Sequence, residues 1–408
     1  MRNTPLDMAR LGSMDTAEAA RLLRGMRDAT LAGERPRVEP RADIGESWER
    51  MLRRGIDPDR DRRAGMLSLA ELEERRRLSP LRDVLPLLRE GLVEIADAVQ
   101  HIMVVADTDG RVLWREGHSA VLRKADAHGF APGADWSESV VGTNGIGTPL
   151  VAGRPVQVHS AEHFVATHHA WTCAGAPVTD PRDGRVLGVV DVSGPPTTMH
   201  PATLALVRSV TRLAEAELRN EHFVELERLR TVAAPVLARL SGRALAVDTR
   251  GWPAAVIGMP PGGRLALPKT LGAGRVWLPT LGSCEVEPLP GGWLLRPAES
   301  APPERAPQRV TLDLRRSPGA TVTVTGRTGS WTQDLTPRHA ELLYVLASHP
   351  GGRTAAQLAQ QLFGDPTRTV TVRAEMSRLR RNFTGVLTHR PYRFLEGVEV
   401  EVVGDFGV

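Results

Sequence analysis

Residues 174–192 read AGAPVT-DPRDG-RVLGVVDV, two apolar runs separated by a short polar segment. The second run is rich in valine, and the Asp, Pro and Gly residues between the runs favour a tight turn. This pattern predicts a β-hairpin with strands over 174–179 and 185–192. Because both runs are predominantly apolar, the two strands are expected to be central in a sheet.

The sequence on the N-terminal side of this hairpin predicts a helix followed by another hairpin. Leu81, Val84, Leu88 and Leu92 recur at helical spacing. They precede an apolar run over 102–106, the turn 107–110 and the run 112–114, so a second hairpin should belong to the same sheet. After Pro201 a long amphipathic helix is expected. Its apolar residues recur too irregularly, and over too short a stretch, to predict a coiled coil.

The chain as a whole is predicted to be an α+β multidomain protein. Its 408 residues correspond to roughly two to four domains at about 100 to 200 residues each. The predicted parts are a helical N-terminal region over 1–79, an α+β domain over 80–222, a connector helix over 223–240, a small β-rich module over 241–297, a linker over 298–307 and a C-terminal domain over 308–408.

Composition excludes several classes of protein. Hydrophobic residues make up 41% and charged residues 25%, ordinary values for a globular chain, and no run approaches the roughly 18 apolar residues of a membrane span. The N-terminus has no apolar core of a secretory signal, so a cytoplasmic protein without a membrane partner is expected. Cys173 and Cys284 are far apart in sequence, which argues against a disulfide scaffold or a cysteine-cluster zinc site.

Three helical signals at short intervals mark the C-terminal hundred residues. Thr336 followed by Pro337 predicts one helix start, and Thr354 with Gln357 forms a capping box for the next. The third helix should begin near Thr369. Its apolar residues form one buried stripe, namely Val372, Met376, Leu379 and Phe383. A closing hairpin is expected over 385–403.

The opposite face of the third helix has the chemistry of a DNA-recognition helix. The net charge of +4 is modest, but residues 366–393 contain seven arginines and one acidic residue. Guanidinium groups can bind guanine edges or phosphates, hydroxyls can bind either, and a small residue permits close approach. The predicted DNA-binding residues are Thr371, Arg373, Ala374, Ser377, Arg378, Arg381, and, at the hairpin, Arg390 and Arg393.

Over residues 308–403 the order of β-strands, helices, basic helix and hairpin resembles the winged helix-turn-helix effector domain of OmpR-like response regulators. The segment TVTVRAEMSRLRR at 369–381 carries most of this resemblance, with Leu335-Thr-Pro upstream and Tyr392 in the hairpin. The resemblance implies binding of double-stranded DNA. Unlike response regulators, the chain has no phospho-acceptor receiver domain before this segment, so another domain should supply the signal.

The N-terminal half resembles the sensory half of acetoin-catabolism (AcoR-like) regulators over about residues 36–225. The shared features are IGESW at 44–48, GIDP at 55–58, SESVVGTNGIGT at 137–148, AEHF at 161–164, WTC at 171–173 and DVSG at 191–194. This resemblance implies a GAF domain over about 80–220, with an antiparallel sheet, helices and a cavity or partner surface. Fuller members of the family carry an ATPase domain, but no G-x-x-x-x-G-K-[ST] loop occurs here, which argues against sigma-54-type activation.

A small-molecule effector is expected to bind among aromatic and polar residues of the sensor. The candidate ligand-binding residues are Trp114, Trp136, Asn144, His159, Phe164, Trp171, Thr172 and Cys173. The alternative is ordinary core and turn packing. His159, His163, His168, His169 and Cys173 include metal-capable side chains, but their spacing matches no standard site, so no metal or other cofactor is predicted. A dinucleotide at 142–147 is disfavoured because the segment is not G-x-G-x-x-G.

These features together predict a one-component transcriptional regulator and not an enzyme. Its partners should be double-stranded DNA, an unidentified small-molecule effector and a second copy of the chain, with the helix after Pro201 as the candidate seam. Two rival classes remain. A signalling kinase or cyclase is disfavoured because no ATP-binding Gly-rich motif is present. An adaptor that acts through protein contacts, using its winged helix as an interaction surface, stays open.

Overall fold

The computed structural model describes most of the chain. The described residues are 6–59, 65–98, 100–198, 200–260, 262–268, 270–278, 280–298, 309–315, 319–326, 329–383, 386–389 and 391–404, with the backbone alone at 95–98, 326, 329–331 and 381–382. They form two compact units, Met1–Glu221 and His222–Val408. Within these ranges no helix is long and apolar enough to cross a membrane.

The N-terminal unit consists of one antiparallel sheet and the helices around it. Its helices are α1 (Met8–Gly12), α2 (Thr16–Leu31), α3 (Ala42–Arg53), α4 (Leu69–Leu78), α5 (Leu81–Ala98), α6 (Ser119–Ala127), α7 (Glu138–Val141), α8 (Gly147–Ala152) and α9 (Pro201–Leu237), which continues into the second unit. Its strands are β1 (Ile102–Ala106), β2 (Val112–Gly117), β3 (Val156–His159), β4 (Thr172–Thr179) and β5 (Val186–Gly194), in the spatial order β2-β1-β5-β4-β3. The predicted hairpin of β4 and β5 is confirmed, with β5 at the centre of the sheet.

Period-two alternation divides the side chains of the sheet between two apolar layers. On one face Met103 and Val105 pack with α5 and with Val207, Val210 and Ala214 of α9. On the other face Ile102, Val104 and Cys173 pack with α6, α7 and the residues that follow them. The second layer encloses the candidate site described below.

Helices α1 to α3 pack on the β3 end of the sheet. Leu23 and Trp48 share a buried core with Val156 and Phe164. Two ion pairs reinforce this packing, because Arg41 binds the fully buried Glu162 and Arg50 binds the buried Glu138. The N-terminal helices therefore belong to the same compact unit as the sheet, while the domain boundary at 79/80 stays a prediction.

The second unit begins with the end of α9 and a five-stranded antiparallel sheet. The strands are β6 (Ala244–Asp248), β7 (Pro253–Ile257), β8 (Gly274–Leu278), β9 (Gly282–Leu289) and β10 (Gly292–Pro297), in the order β7-β6-β10-β9-β8. Ala233 and Leu237 of α9 pack against Ala244, Ala246 and Leu294. This is the region where the sequence predicts a small β-rich module. The predicted linker over 298–307 lies outside the described residues except at Ala298.

The C-terminal part combines a four-stranded sheet with three helices. These elements are β11 (Arg309–Asp313), β12 (Thr321–Gly326), β13 (Gly329–Asp334), α10 (Pro337–Ala347), α11 (Ala355–Phe363), α12 (Thr369–Asn382) and β14 (Glu399–Val403). Both predicted helix caps are confirmed, since the hydroxyls of Thr336 and Thr354 accept from the backbone N–H groups of His339 and Gln357. The predicted stripe on α12 is buried as expected.

The expected hairpin over 385–403 is corrected by the structure. Its first part is an antiparallel contact around a short loop, with a bridge between Leu387 and Phe394 and backbone hydrogen bonds from Thr388 to Arg393 and from Leu395 to Val386. Strand β14 instead pairs in parallel with β11, with Val400 opposite Val310 and Val402 opposite Leu312. Val310 and Leu312 are buried in the core of this part, so the parallel pairing lets β14 cover the edge of an already buried strand.

Candidate functional site

A small cavity lies in the N-terminal unit, between the sheet and the segment that contains α7 and α8. Its lining consists of Phe130, Trp136, Asn144, Gly145, Ile146, His163, His168, Trp171, Cys173, Asp191 and Ser193. The volume open to the centre of a water-sized molecule is about 10 Å³, so the cavity has room for about one water. A larger guest must therefore move part of the lining aside.

A chain of hydrogen bonds runs through the wall of the cavity. The Nδ1 atom of His163 lies 2.9 Å from the carbonyl oxygen of Ser160, which can only accept, so Nδ1 carries the proton. The Nε2 atom of His163 is then the acceptor for the thiol of Cys173, at 3.4 Å from Sγ. The hydroxyl of Ser193 lies 3.1 Å from the same Sγ and also contacts Asp191 Oδ2. Four buried polar side chains are thereby connected.

Burial shifts the pKa values of these groups towards their neutral forms. It raises the pKa of Asp191 to about 7, against the hydrogen bonds from Ser193 and from the backbone of Ala174. It raises the pKa of the Cys173 thiol well above its ordinary value, and the nearby Asp191 carboxylate adds to this effect. It lowers the pKa of His163 well below its ordinary value. Cys173 and His163 thus favour their neutral forms, and Asp191 becomes charged above about pH 7.

The loop over 142–147 closes the cavity and is held by a side chain of its own. Asn144 Oδ1 accepts from the N–H groups of Ile146 and Gly147, and its Nδ2 donates to the carbonyl of Gly142. A Cβ atom at Gly145 would lie 2.3 Å from Asp191 Oδ1 and 2.5 Å from the Cys173 Cβ, so only glycine fits there. Because the N–H groups of Ile146 and Gly147 already donate to Asn144, they are not available to bind a phosphate, which argues against a phosphate-binding loop.

Trp171 and Asp191 of the lining each carry a buried polar atom without a hydrogen-bond partner among the described residues. These atoms are the Nε1–H donor of Trp171 and the Oδ1 acceptor of Asp191. Trp171 is 2% exposed and Asp191 is fully buried, so water outside the protein cannot satisfy either atom. A guest that both accepts and donates a hydrogen bond would satisfy both of them.

Four of the eight predicted ligand-binding residues line the cavity, and four do not. Trp136, Asn144, Trp171 and Cys173 are part of the lining. The other four have different surroundings: Trp114 packs on the opposite face of the sheet, Phe164 packs in the core with α1 to α3, and His159 and Thr172 lie outside the lining. We therefore restrict the candidate site to the first four and add Asp191, Ser193 and His163.

Asp191 and Ser193 were missed as site residues although the sequence contains a signal for them. They occupy alternate positions of β5, and Ser193 pairs in register with Cys173 of β4. Residues two apart on a strand share a face, so both side chains had to lie on the Cys173 side. In the part of the chain that the structure describes, no three His, Cys, Asp or Glu side chains are grouped as metal ligands.

The second candidate site is the exposed face of α12 in the C-terminal unit. Five of the predicted DNA-binding side chains are exposed on it: Thr371, Arg373, Ala374, Ser377 and Arg378. Val370, which was not predicted, is 76% exposed on the same face. An exposed valine suits contact with the methyl group of thymine. The sequence could have indicated its exposure, because Val370 does not belong to the apolar stripe that α12 buries.

Charged neighbours hold one side of this face. The guanidinium of Arg378 donates to Glu375 Oε1 at 2.7 Å, and Nε2 of His339 on α10 lies 3.0 Å from Glu375 Oε2. Burial lowers the pKa of His339, and the hydrogen bond with Glu375 opposes that shift. Arg378 is therefore positioned by Glu375 in the free chain.

The remaining predicted arginines are placed as follows. Arg393 is partly buried in the short loop and lies 3.3 Å from Glu396. Arg381 belongs to α12, but its side chain lies outside the described part, and Arg390 lies outside the described residues altogether. Their contribution to a DNA-binding face stays a prediction.

Comparison with known proteins shows what the N-terminal unit is similar to. Residues 41–215 match the family described as MimR, N-terminal domain. The chain is 32% identical over 89% of its length to a 47.3 kDa protein encoded in the thcA 5' region of Rhodococcus erythropolis, of which the match covers 65%. It is 33% identical over 44% of its length to the acetoin dehydrogenase operon transcriptional activator AcoR of Bacillus subtilis, of which the match covers 29%.

A third relative has a related regulatory name. The propane 2-monooxygenase operon transcriptional activator MimR of Mycolicibacterium smegmatis is 31% identical over 44% of this chain, and the match covers 30% of that protein. The N-terminal unit is thus similar to one part of proteins named as transcriptional activators. The chain spans about two thirds of the Rhodococcus protein and less than a third of the named activators.

Solved structures show a more distant likeness. A chain of the Escherichia coli DhaR(N)–DhaL complex matches with 18% identity and a TM-score of 0.45, covering 63% of this chain and 100% of that one. Pseudomonas aeruginosa HmgR matches with 16% identity and a TM-score of 0.22, covering 50% of this chain and 98% of that one. These values are too low for a functional conclusion.

Proposed function

We propose that the chain is a one-component transcriptional regulator that senses a small molecule in its N-terminal unit and binds double-stranded DNA with its C-terminal unit. The observation that carries this proposal is the exposed face of α12, which presents arginines, hydroxyls and the small Ala374 on the third of three consecutive helices. The homology of the N-terminal unit to transcriptional activators supports it.

The proposed DNA-binding domain is a winged helix-turn-helix with α12 in the major groove. The apolar stripe of α12 anchors it to α10 and α11, so the opposite face is free to approach base edges. Arg373 and Arg378 can bind guanine edges or phosphates, while Ala374 and Val370 can approach thymine methyl groups. The loop around Arg393 is the proposed wing, and its arginines would contact the DNA backbone.

The proposed sensor is a GAF domain, and its effector site is the cavity beside Trp171 and Asp191. The lining is apolar apart from a few buried polar groups, so an uncharged organic molecule with an oxygen function suits it. The relative named for the acetoin dehydrogenase operon supports an effector of that kind, because acetoin is an uncharged hydroxyketone. Since the free cavity holds about one water, the effector must bind an arrangement in which the lining has moved apart. This movement of the lining would transmit the signal to the rest of the chain.

The proposed active form is a homodimer, because two half-sites about one helical turn apart double the readable bases and phosphate contacts. Footprinting of the purified full chain on DNA from upstream of its own gene, with random DNA as competitor, tests the proposal. We expect two protected half-sites on neighbouring turns. Absence of protection by a folded chain would overturn the DNA-binding role and favour an adaptor that acts through protein contacts.

The sensor half of the proposal has a separate test. Thermal unfolding of the chain with millimolar acetoin or other small ketones and alcohols should show a rise in Tm, because ligands that bind only the folded state stabilise it. In Trp171→Phe, which keeps an aromatic ring but loses the buried N–H donor, the rise should be smaller. An equal rise in both proteins would place the binding elsewhere.

A further inference from the structure

Helix α9 carries two separate stripes along its N-terminal part. The first contains Val207, Val210 and Ala214, and packs against the sheet of the same unit. The second lies on another face of the helix, and of its members only Leu206 also packs against the sheet core. Its members recur at spacings of three and four and are Leu206, Ser209, Leu213, Ala216, Asn220 and Phe223. All are exposed except the half-buried Leu206, and Leu213 and Phe223 are 57% and 61% exposed.

We infer that this second stripe is the seam of a parallel, in-register homodimer in which α9 of one copy packs along α9 of another. Spacings of three and four define heptad positions a and d. Leu206, Leu213 and Asn220 occupy the a positions, and small residues such as Ser209 and Ala216 occupy d positions, which lets two helices approach closely. The sequence alone does not show this repeat, because the apolar residues of the two stripes alternate along α9 and together do not follow a heptad pattern.

Asn220 favours a second copy over an unrelated partner. A single asparagine at an a position of a two-stranded coiled coil pairs with the same asparagine of the other strand and fixes the register, at a cost in stability. At the surface of a lone helix this residue would have no such role. When Asn220 of one copy pairs with Asn220 of the other, the two side-chain amides bind each other and are not left unpaired between apolar residues.

Charges beside the stripe favour the parallel orientation. Arg212 occupies a g position and Glu217 the following e position, and neither forms an ion pair with a described residue. In a parallel in-register pair, Arg212 of each copy lies beside Glu217 of the other, so two opposite-charge contacts form by symmetry. In an antiparallel pair g positions face each other, which would bring together arginines such as Arg212 and Arg219.

This inference supplies the interface for the homodimer of the proposed function, and it is testable without DNA. Analytical ultracentrifugation of the full chain should show a dimer. Leu213→Glu should weaken dimerisation at least about tenfold, because each copy loses a buried leucine and brings an unpaired charge into the seam. The control Arg208→Glu places the same side chain on an outward position of α9 and should leave the dimer unchanged. Equal dimerisation of both variants would overturn the seam.

Cysteine cross-linking tests the orientation. In Asn220→Cys the two new thiols face each other in the parallel, in-register arrangement, so oxidation should yield a covalent dimer, whereas Arg208→Cys should not cross-link. Arg212→Glu should weaken the dimer and the double variant Arg212→Glu/Glu217→Arg should restore it. Failure of both experiments would overturn the parallel seam. If Leu213→Glu is a folded monomer that still binds a half-site, the seam is supported and the chain does not need it to bind DNA. If the unchanged chain is a dimer that does not bind DNA, the proposed function is contradicted and the seam is not.

Discussion

The thiol of Cys173 and the ring of His163 lie against each other inside the N-terminal unit, with 3.4 Å between Sγ and Nε2. In many proteins a cysteine beside a histidine is a reactive thiolate. Here burial raises the pKa of Cys173 and lowers that of His163, so both groups stay neutral. The pair therefore acts as a hydrogen-bonded part of a cavity wall.

The first prediction concerns the reactivity of the two thiols. Burial also raises the pKa of Cys284, to about 12. We expect iodoacetamide at pH 8 to leave both cysteines of the native chain unmodified over a period that fully labels both in urea. Intact-mass spectrometry measures this directly. Rapid labelling of Cys173 in the native chain would contradict the neutral pair.

The second prediction is a pH dependence caused by Asp191. Its pKa rises from 3.8 to about 7 on folding, so between these values the native chain holds a proton that the unfolded chain has released. The resulting stability is fully present below about pH 4 and is lost as the pH rises to about 7. Asp191→Asn removes this titration. Urea unfolding from pH 4 to 8 should therefore show a smaller loss of stability in the variant, and parallel curves would refute the assignment.

The third prediction tests the close approach at Gly145. Gly145→Ala places a methyl group against Asp191 and Cys173, which should lower the free energy of unfolding by about 1–3 kcal/mol. Gly25→Ala is the matched control, because Gly25 lies in α2 with nothing within 4 Å of an added Cβ. That change should raise stability by up to about 1 kcal/mol. Equal effects of the two substitutions would show that the loop does not close on the sheet as described.

The fourth prediction separates base reading from backbone contact. Arg378→Ala should reduce the discrimination between the operator and random DNA by about 1–3 kcal/mol, because a guanine contact is lost. Arg393→Ala should weaken binding to both DNAs alike. Arg275→Ala, at an exposed position of β8, removes the same charge and should leave both affinities nearly unchanged. Fluorescence anisotropy gives the affinities, and discrimination unaltered by Arg378→Ala would exclude it from base reading.

Local chemistry made much of the fold predictable. The hairpin of β4 and β5, the helix caps at Thr336 and Thr354 and the buried stripe of α12 each depend on residues close in sequence. The pairing of β14 with β11 was missed because it joins positions 90 residues apart, such as Arg309 and Glu399, and no local signal records such a partner.

The candidate cavity was only half predictable for a related reason. Aromatic residues indicate burial but not which layer buries them: Trp114 pairs with Val105 and so faces α5, whereas Trp136 faces the cavity. Asp191 and Ser193 carry its hydrogen-bonding chemistry, and strand alternation alone would have placed them with Cys173 once the pairing of β4 and β5 was known.

The most direct test of the account is a salt titration of DNA binding by the full chain. Affinity for DNA from upstream of its own gene, and for random DNA, is measured from about 50 to 200 mM salt. We predict that both affinities fall steeply with salt, as expected when several arginines displace counterions, and that the specific site stays tighter at every concentration. Binding that is absent or insensitive to salt in a folded chain would contradict the proposal that α12 and its wing bind DNA.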